Sequence, residues 1–304
     1  RAGPCVCEPV LGALSVAMSG LISPGGPIDP MAALTQMMGP VLRRMSAMLY
    51  GAQLAQGLAE LSTSTVTGSE IGLQVLSVPQ VVILPTNIAA AWNDLDLDPR
   101  DVELYLVLRE SARQRLFNAV SWLGPQLLAL VEHYAREIRI DSSAIEDAID
   151  IDDLSQLTPE KAQEMSERLR GRLFEPTRTP EQDGVLQRLE TLLALIEGWV
   201  DEVTFQVART WLPSHDQLAE AVRRRRATSG PAEVFFQSLL GLELRPRRVR
   251  DAVNLWAALR EARGTVGRDH VWNHPDLVPT AADLDDPLGY VSGAVALTPR
   301  RAPG

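Results

Sequence analysis

The spacing of apolar residues along the chain predicts a protein made mainly of helices. Apolar residues recur every three or four positions through several long segments, the periodicity of a helix with one buried face. The segments predicted as helices are 31–61, 102–117, 125–138, 159–173, 181–211, 214–226, 231–241 and 246–261. Residues 71–78 and 81–84 are short, β-branched and separated by Pro79, so they predict a small β-ribbon. The predicted fold class is therefore mainly α with a small β-ribbon.

Glycine and proline mark the edges of the predicted domain. Residues 1–30 are rich in both and predict a flexible N-terminal lead, while 31–290 predict a single, mostly helical domain. The last stretch, 291–304, is expected to be a disordered tail. With 304 residues, of which 45% are hydrophobic and 22% charged, the chain can bury one large core or two modest ones.

The charge balance is acidic, with a formal net charge of -10. That balance argues against general nucleic-acid binding, because neutralising phosphates requires clustered positive charge. The exception is a run of four arginines at 223–226, which ends a predicted helix. We favour a cationic last turn that complements the helix dipole over a patch for an anionic ligand.

The cysteines and the hydropathy of the chain indicate the cellular compartment to expect for the protein. Cys5 and Cys7 are too close for a relaxed disulfide and too few for a structural zinc site, which fits a reducing cytoplasm. No run of about 18 or more apolar residues is present, so we predict no transmembrane helix. The expected location is cytoplasmic.

The segment with the most chemical information lies inside the predicted helix 102–117. There Arg109 and Arg113 flank Glu110 in the frame of a His-Glu-x-x-His motif, in which two histidines hold zinc and the glutamate polarises its water. Arginine stays protonated and has no lone pair for a metal. The sequence therefore predicts no metal at this position and no cofactor.

Several further blocks resemble one family in their order and spacing. They are residues 83–90, 108–117 with 122–123, 192–201, 239–245 and 271–280. Together they resemble the zincin-like metallopeptidase family associated with deazaflavin-coenzyme biosynthesis, whose members are often labelled zinc-dependent metalloproteases or hydrolases. The resemblance covers most of 71–290. It implies a zincin-like helical metallopeptidase scaffold, with zinc as the family's expected cofactor.

The same resemblance assigns roles to individual residues. It places the third metal ligand, in a Glu-Gly motif, at Glu197, and Asp201 follows at the Glu-x-x-x-Asp spacing that puts both carboxylates on one helix face. Glu110 falls at the general-base position and becomes a vestigial base if no zinc is present. Arg109 and Arg113 are then degenerate metal-site positions, together with Glu197 and Asp201.

Two arrangements of these side chains follow from their charges. Buried carboxylates need compensation, and two guanidinium groups could replace the charge of a lost zinc ion. We therefore predict hydrogen bonds from Arg109 and Arg113 to at least one of Glu197 and Asp201. The alternative is that both arginines extend to solvent from an exposed face. Residues 104–108 are apolar on every side of the helix, which favours a helix buried all round and hence the first arrangement.

Three classes of function remain open from the sequence. The favoured hypothesis is a non-catalytic binding or scaffold protein of the zincin-like family, with a protein or peptide as partner. An alternative is an active hydrolase or metalloprotease that uses Glu110 and Glu197 with metal ligands not recognised in the sequence. A third is a structural helical adaptor, suggested by small residues at every fourth position from Ala47 to Ala59. The metal content of the purified protein separates the enzyme from the other two.

Overall fold

A computed structural model describes residues 51, 55–74, 78, 80–93, 95–136, 179–227 and 248–296 of the protein. The predicted helices 159–173 and 231–241 lie outside these residues, as does most of 31–61. The proposed lead at 1–30 also falls outside them.

The described part is mainly helical, as predicted. After a helical stretch at 55–64, the helices are α1 (Pro85–Trp92), α2 (Pro99–Ala119), α3 (Leu123–Arg136), α4 (Pro180–Trp211), α5 (His215–Ala227), α6 (Val249–Asp269, kinked at Gly264), α7 (Ala281–Asp285) and α8 (Pro287–Ala296). Two short 3-10 helices, His270–Asn273 and Pro275–Leu277, follow α6. None of the helices in the described part is both long enough and apolar enough to cross a membrane.

Local capping explains where the two longest site helices begin. At the start of α2 the Asp98 carboxylate accepts a hydrogen bond from the Arg100 amide at 2.8 Å, and Pro99 occupies the first turn. At the start of α4, Thr179 and Gln182 form a reciprocal capping box, with bonds of 3.2 and 3.0 Å. Both helices therefore start at fixed residues, which sets the register of their later side chains.

Helix α4 is the centre of the fold and packs against α2, α3, α5 and α6. Its buried side chains contribute to two separate hydrophobic clusters. The main cluster joins α3, α6, the C-terminal half of α2 and the greater part of α4; its fully buried members include Leu123, Leu127, Leu189, Leu195, Leu255 and Trp256. The second cluster joins α1, α5, the N-terminal half of α2 and the end of α4; its members include Trp92, Tyr105, Leu106, Ala208, Leu218 and Val222.

The predicted β-ribbon is wrong in its pairing. Residues 81–84 do not pair with 71–78 in the described part of the chain; the one bridge there joins Thr67 to Ile83. The reason lies at Gly72, whose φ of +78° breaks the extended conformation of a strand. The chain turns at 69–72, and Ile71 and Leu73 enter the main cluster instead of a ribbon.

Two other expectations need correction. Leu104 is 45% exposed, so α2 is not buried on all sides; its buried face is the one that carries Arg109 and Arg113. Helix α8 continues to Ala296 with Val291 buried. The predicted tail boundary at residue 291 therefore lies inside a helix, since an apolar turn there can pack on α6.

Helices α4 and α6 approach each other closely at Gly198. A Cβ atom placed on Gly198 would lie 2.6 Å from the Ala252 Cβ and 2.9 Å from the backbone of Ala252 and Val253. Only a residue without a side chain fits there, and backbone atoms cannot move aside cheaply. The neighbouring Glu197 is thus held at a position fixed by backbone contact.

We expect Gly198→Ala to lower the free energy of unfolding by about 1 to 3 kcal/mol because it overpacks this crossing. Gly184→Ala is the matched control, since Gly184 lies in the same helix with open space around its Cβ position. The control should be neutral or stabilising by up to about 1 kcal/mol through helix propensity. Urea denaturation of both variants measures the difference, and equal effects would contradict the close approach.

Candidate functional site

Helices α2 and α4 bring the predicted arginines and carboxylates together. Arg109 donates from Nη2 to Glu197 Oε2 at 2.9 Å and from Nη1 to Asp201 Oδ1. Arg113 donates to Glu197 Oε1 from Nη2 at 2.5 Å and from Nε at 3.1 Å. The predicted hydrogen bonds are confirmed. The alternative, in which both arginines extend to solvent, is excluded because the Arg109 and Arg113 side chains are only 5% and 3% exposed.

A third arginine, whose position here was not predicted from the sequence, completes the group. Arg226, in the last turn of α5, donates from Nη1 to Glu197 Oε2 at 3.0 Å and from Nη2 to Asp201 Oδ2 at 2.5 Å. The predicted cationic last turn of this helix is therefore present, but Arg225 and Arg226 turn inward, with side chains 19% and 20% exposed. We call Arg109, Glu110, Arg113, Glu197, Asp201 and Arg226 the ion cluster.

Glu110 is the innermost member of the ion cluster, with no exposed surface. The Ser69 hydroxyl lies 2.9 and 2.7 Å from its two carboxylate oxygens and donates to this carboxylate. Gln114 donates from Nε2 to Oε1 at 2.9 Å, and Arg113 Nη1 lies 3.3 Å from Oε2. Every oxygen of this buried carboxylate thus has a hydrogen-bond donor.

The ion cluster is balanced in charge and lies between the two hydrophobic clusters. Three guanidinium groups face three carboxylates. Along α2, Arg109 and Glu110 of the ion cluster lie between Leu106 of the second hydrophobic cluster and Ala112 of the main one. Along α4 the change occurs between Val200 and Ala208. A polar layer therefore separates two apolar regions of the same helix pair.

The chain is similar to a known protein family and to one solved structure. A sequence model of a zincin-like metallopeptidase family matches residues 5–291. The chain belongs to this zincin-like family. Among curated proteins none matches it. One solved structure is similar in fold, that of a protein from Chloroflexus aurantiacus described as "a putative hydrolase with a novel fold": it has 20% sequence identity, a TM-score of 0.57, and coverage of 99% of this chain and 93% of that one.

The residues of the ion cluster do not fit a zinc ion. Glu197 already accepts four hydrogen bonds, two at each oxygen, which uses the lone pairs that a metal ligand needs. Arg109 and Arg113 offer only donors. Elsewhere in the described residues, no three histidine, cysteine, aspartate or glutamate side chains are grouped so that they could hold a metal.

The arginines control the protonation of the carboxylates on α4. Burial alone would raise the pKa of Asp201, but Arg109 and Arg226 outweigh burial and lower it to about 2. Burial also opposes ionisation of Glu197, and the three arginines again reverse the effect and lower its pKa. Both side chains therefore remain charged throughout the neutral range.

A second ion pair joins α5 to the loop before α1. Arg225 Nη1 lies 2.7 Å from Glu70 Oε1, and its guanidinium carbon lies 5.4 Å from the centre of the Trp92 ring. Glu70 Oε2 accepts a hydrogen bond from the Val66 amide at 2.6 Å. Burial raises the pKa of Glu70, although Arg225 opposes that rise. This pair anchors the loop that carries Ser69.

Some of these contacts could have been predicted from the sequence. Gln114 lies four residues after Glu110, so it had to share a helix face with it. In the sequence, Arg226 stood out only as part of an arginine run. A count of three buried carboxylates against two arginines could have predicted that a third cation lies nearby. Nothing in the sequence indicated that Ser69 contacts Glu110, because this contact depends on the turn at 69–72.

We expect Glu197→Ala to lower the free energy of unfolding by about 3 to 5 kcal/mol, because it leaves buried arginines without their shared partner. Glu220→Ala is the control: Glu220 also pairs with two arginines, Arg223 and Arg224, but on an exposed face. Glu220→Ala should hardly change the free energy of unfolding measured by chemical denaturation. A tolerated Glu197→Ala would show that the ion cluster is not a structural lock.

The lowered pKa of Asp201 predicts a specific pH dependence. A carboxyl whose folded pKa is about 2, below its ordinary 3.8, stabilises the fold above about pH 4 and loses that contribution as the pH falls towards 2. The lost contribution is about 2 kcal/mol. The difference in unfolding free energy between the wild type and Asp201→Asn should shrink by this amount between pH 5 and about pH 2. Parallel pH curves would contradict the assignment.

Proposed function

We propose that this protein is a non-catalytic member of the zincin-like family that acts as a binding or scaffold protein. One observation supports the proposal above others: the carboxylate at the family's ligand position, Glu197, is saturated by N–H donors from three arginines. Two of these arginines stand where the motif has histidines. In this proposal the helix pair keeps the family's architecture, and an ion-paired lock replaces its metal chemistry.

The state of Glu110 supports the same proposal. A general base must reach a water or a substrate proton within hydrogen-bond distance. Glu110 is completely buried, and its oxygens are bound by Ser69, Arg113 and Gln114. The alternative, a hydrolase acting through Glu110 and Glu197, would first have to release these donors. The hydrolase description of the Chloroflexus aurantiacus protein accompanies a similar fold and is not transferred to this chain's chemistry.

We further propose a cytoplasmic protein whose partner is another protein or a peptide. The two cysteines support a reducing compartment, and the net charge of -10 opposes general nucleic-acid binding. Affinity capture from a lysate with the full chain would identify such partners. The Arg226→Ala variant, in which Arg109 and Arg113 keep their bonds to Glu197, would show which partners require the intact ion cluster.

We expect the purified wild type to hold no stoichiometric zinc and to show no zinc-dependent peptidase activity. Rebuilding the motif with Arg109→His and Arg113→His, together with Arg226→Gln to free Glu197, should create a site for about one zinc per chain, because two imidazoles and a carboxylate then converge. Calorimetric titration with zinc and elemental analysis measure both results.

The control for the rebuilt site also carries two arginine-to-histidine changes, but on α4 and away from the ion cluster. Arg188→His with Arg209→His places the imidazoles on exposed positions 21 residues apart in one helix, too far for a shared metal. This control should bind no zinc tightly. One zinc held by the wild type and lost on Glu197→Ala would overturn the proposed function and restore the hydrolase alternative.

A further inference from the structure

The ion cluster is graded in exposure from its centre to the surface. The Glu110 side chain is 0% exposed, the Arg113 and Arg109 side chains 3% and 5%, and the Arg226 side chain 20%. Arg226 is therefore the member of the ion cluster that faces solvent most. It covers Glu197 and Asp201, whose side chains are 9% and 14% exposed beneath it.

Different kinds of contact hold the middle and the last turn of α5 to the rest of the protein. Its middle is held by apolar contacts, since Leu218, Ala219 and Val222 belong to the second cluster. Its last turn is held by ion pairs: Arg226 binds the carboxylates on α4, while Arg225 binds Glu70 and the Ser64 carbonyl. The last turn can therefore detach from these carboxylates and from the Trp92 ring while Leu218, Ala219 and Val222 keep their apolar contacts.

Removing Arg226 alone would leave the helix pair beneath it bonded. Glu197 would keep Arg113 on Oε1 and Arg109 on Oε2, and Asp201 would keep Arg109 on Oδ1. Asp201 Oδ2 would lose the donor that binds it. The ion cluster would then hold two positive charges against three negative ones, with a gap the shape of a guanidinium on its solvent side.

We propose that the last turn of α5 is a latch over the ion cluster, closed by Arg226 and opened when this guanidinium leaves Glu197 and Asp201. Arg109 and Arg113 form the permanent part of the cluster, while Arg226 is its replaceable part. The open state exposes two carboxylate oxygens to solvent and selects a guanidinium over a simple monovalent cation, because a forked donor can bind both oxygens at once. The latch goes beyond the proposed binding function and does not depend on it.

Carboxyl labelling with a carbodiimide and a small amine, read by peptide mass spectrometry, tests the latch on the full chain. In Arg226→Ala we expect labelling of Asp201 to rise roughly tenfold or more, as loss of a charged hydrogen-bond pair implies. Arg223→Ala, in the same helix but paired with exposed Glu220, should label Asp201 as the wild type does. Arg226→Lys should give an intermediate value, because an ammonium is a single point charge.

Amide hydrogen exchange distinguishes an open latch from an unfolded protein. In Arg226→Ala, exchange should speed up in the last turn of α5 while the middle of α4 stays protected. Loss of protection throughout α4, or Asp201 labelling that equals the wild type, would overturn the latch.

Chemical rescue tests the shape of the vacated position. Low concentrations of guanidinium chloride should lower Asp201 labelling in Arg226→Ala, whereas sodium chloride at equal ionic strength should not. Equal effects of the two salts would overturn the inference that a guanidinium is selected there.

Discussion

The structure depends on one electrostatic constraint: three carboxylates lie between packed helices where little water can reach them. An isolated buried carboxylate costs several kcal/mol or becomes neutral. Here Glu110, Glu197 and Asp201 meet three guanidinium groups, and the pKa values of both carboxyls on α4 are lowered despite burial. The arginines of α2 and α5 are thus required by the carboxylates of α4, and the relative position of three helices follows from this pairing.

This constraint acts together with close packing. Gly198 lets the backbone of α6 approach α4 one residue from Glu197, while the ion cluster faces α2 and α5. One short segment of α4 therefore fixes its neighbours by backbone contact on one side and by hydrogen bonds on the other. Farther along the same helix, Glu202 binds both Arg260 and Arg268 of α6 at 2.6 and 2.5 Å. Buried ion pairs thus tie α4 to α6 as well.

The sequence predicted the parts of the fold that depend on local periodicity and helix caps. The bounds of α2 and α4 fall within a few residues of their apolar patterns, and the motif spacing placed Arg109, Arg113, Glu197 and Asp201 on facing sides. It failed where the outcome depends on distant partners. Ile71 and Leu73 pack into the main cluster instead of pairing, because the chain turns at 69–72. Arg226 lies on α5, 29 and 25 residues after Glu197 and Asp201 of α4, so only the folded chain shows which carboxylates it binds.

The number of arginines indicates how the site is stabilised. A zinc ion would bring two positive charges to three carboxylates, whereas the three arginines bring three and also supply directed N–H donors to the oxygens of Glu197 and Asp201. Apolar replacements could fill the same space, and buried ion pairs often add little net stability compared with them. They would, however, leave Glu197 and Asp201 without their hydrogen-bond partners, and Glu110 with only Ser69 and Gln114. As long as these carboxylates are present, the fold requires cations at the positions of Arg109 and Arg113, and the register of α2 against α4 is set by hydrogen bonds that only one alignment can satisfy.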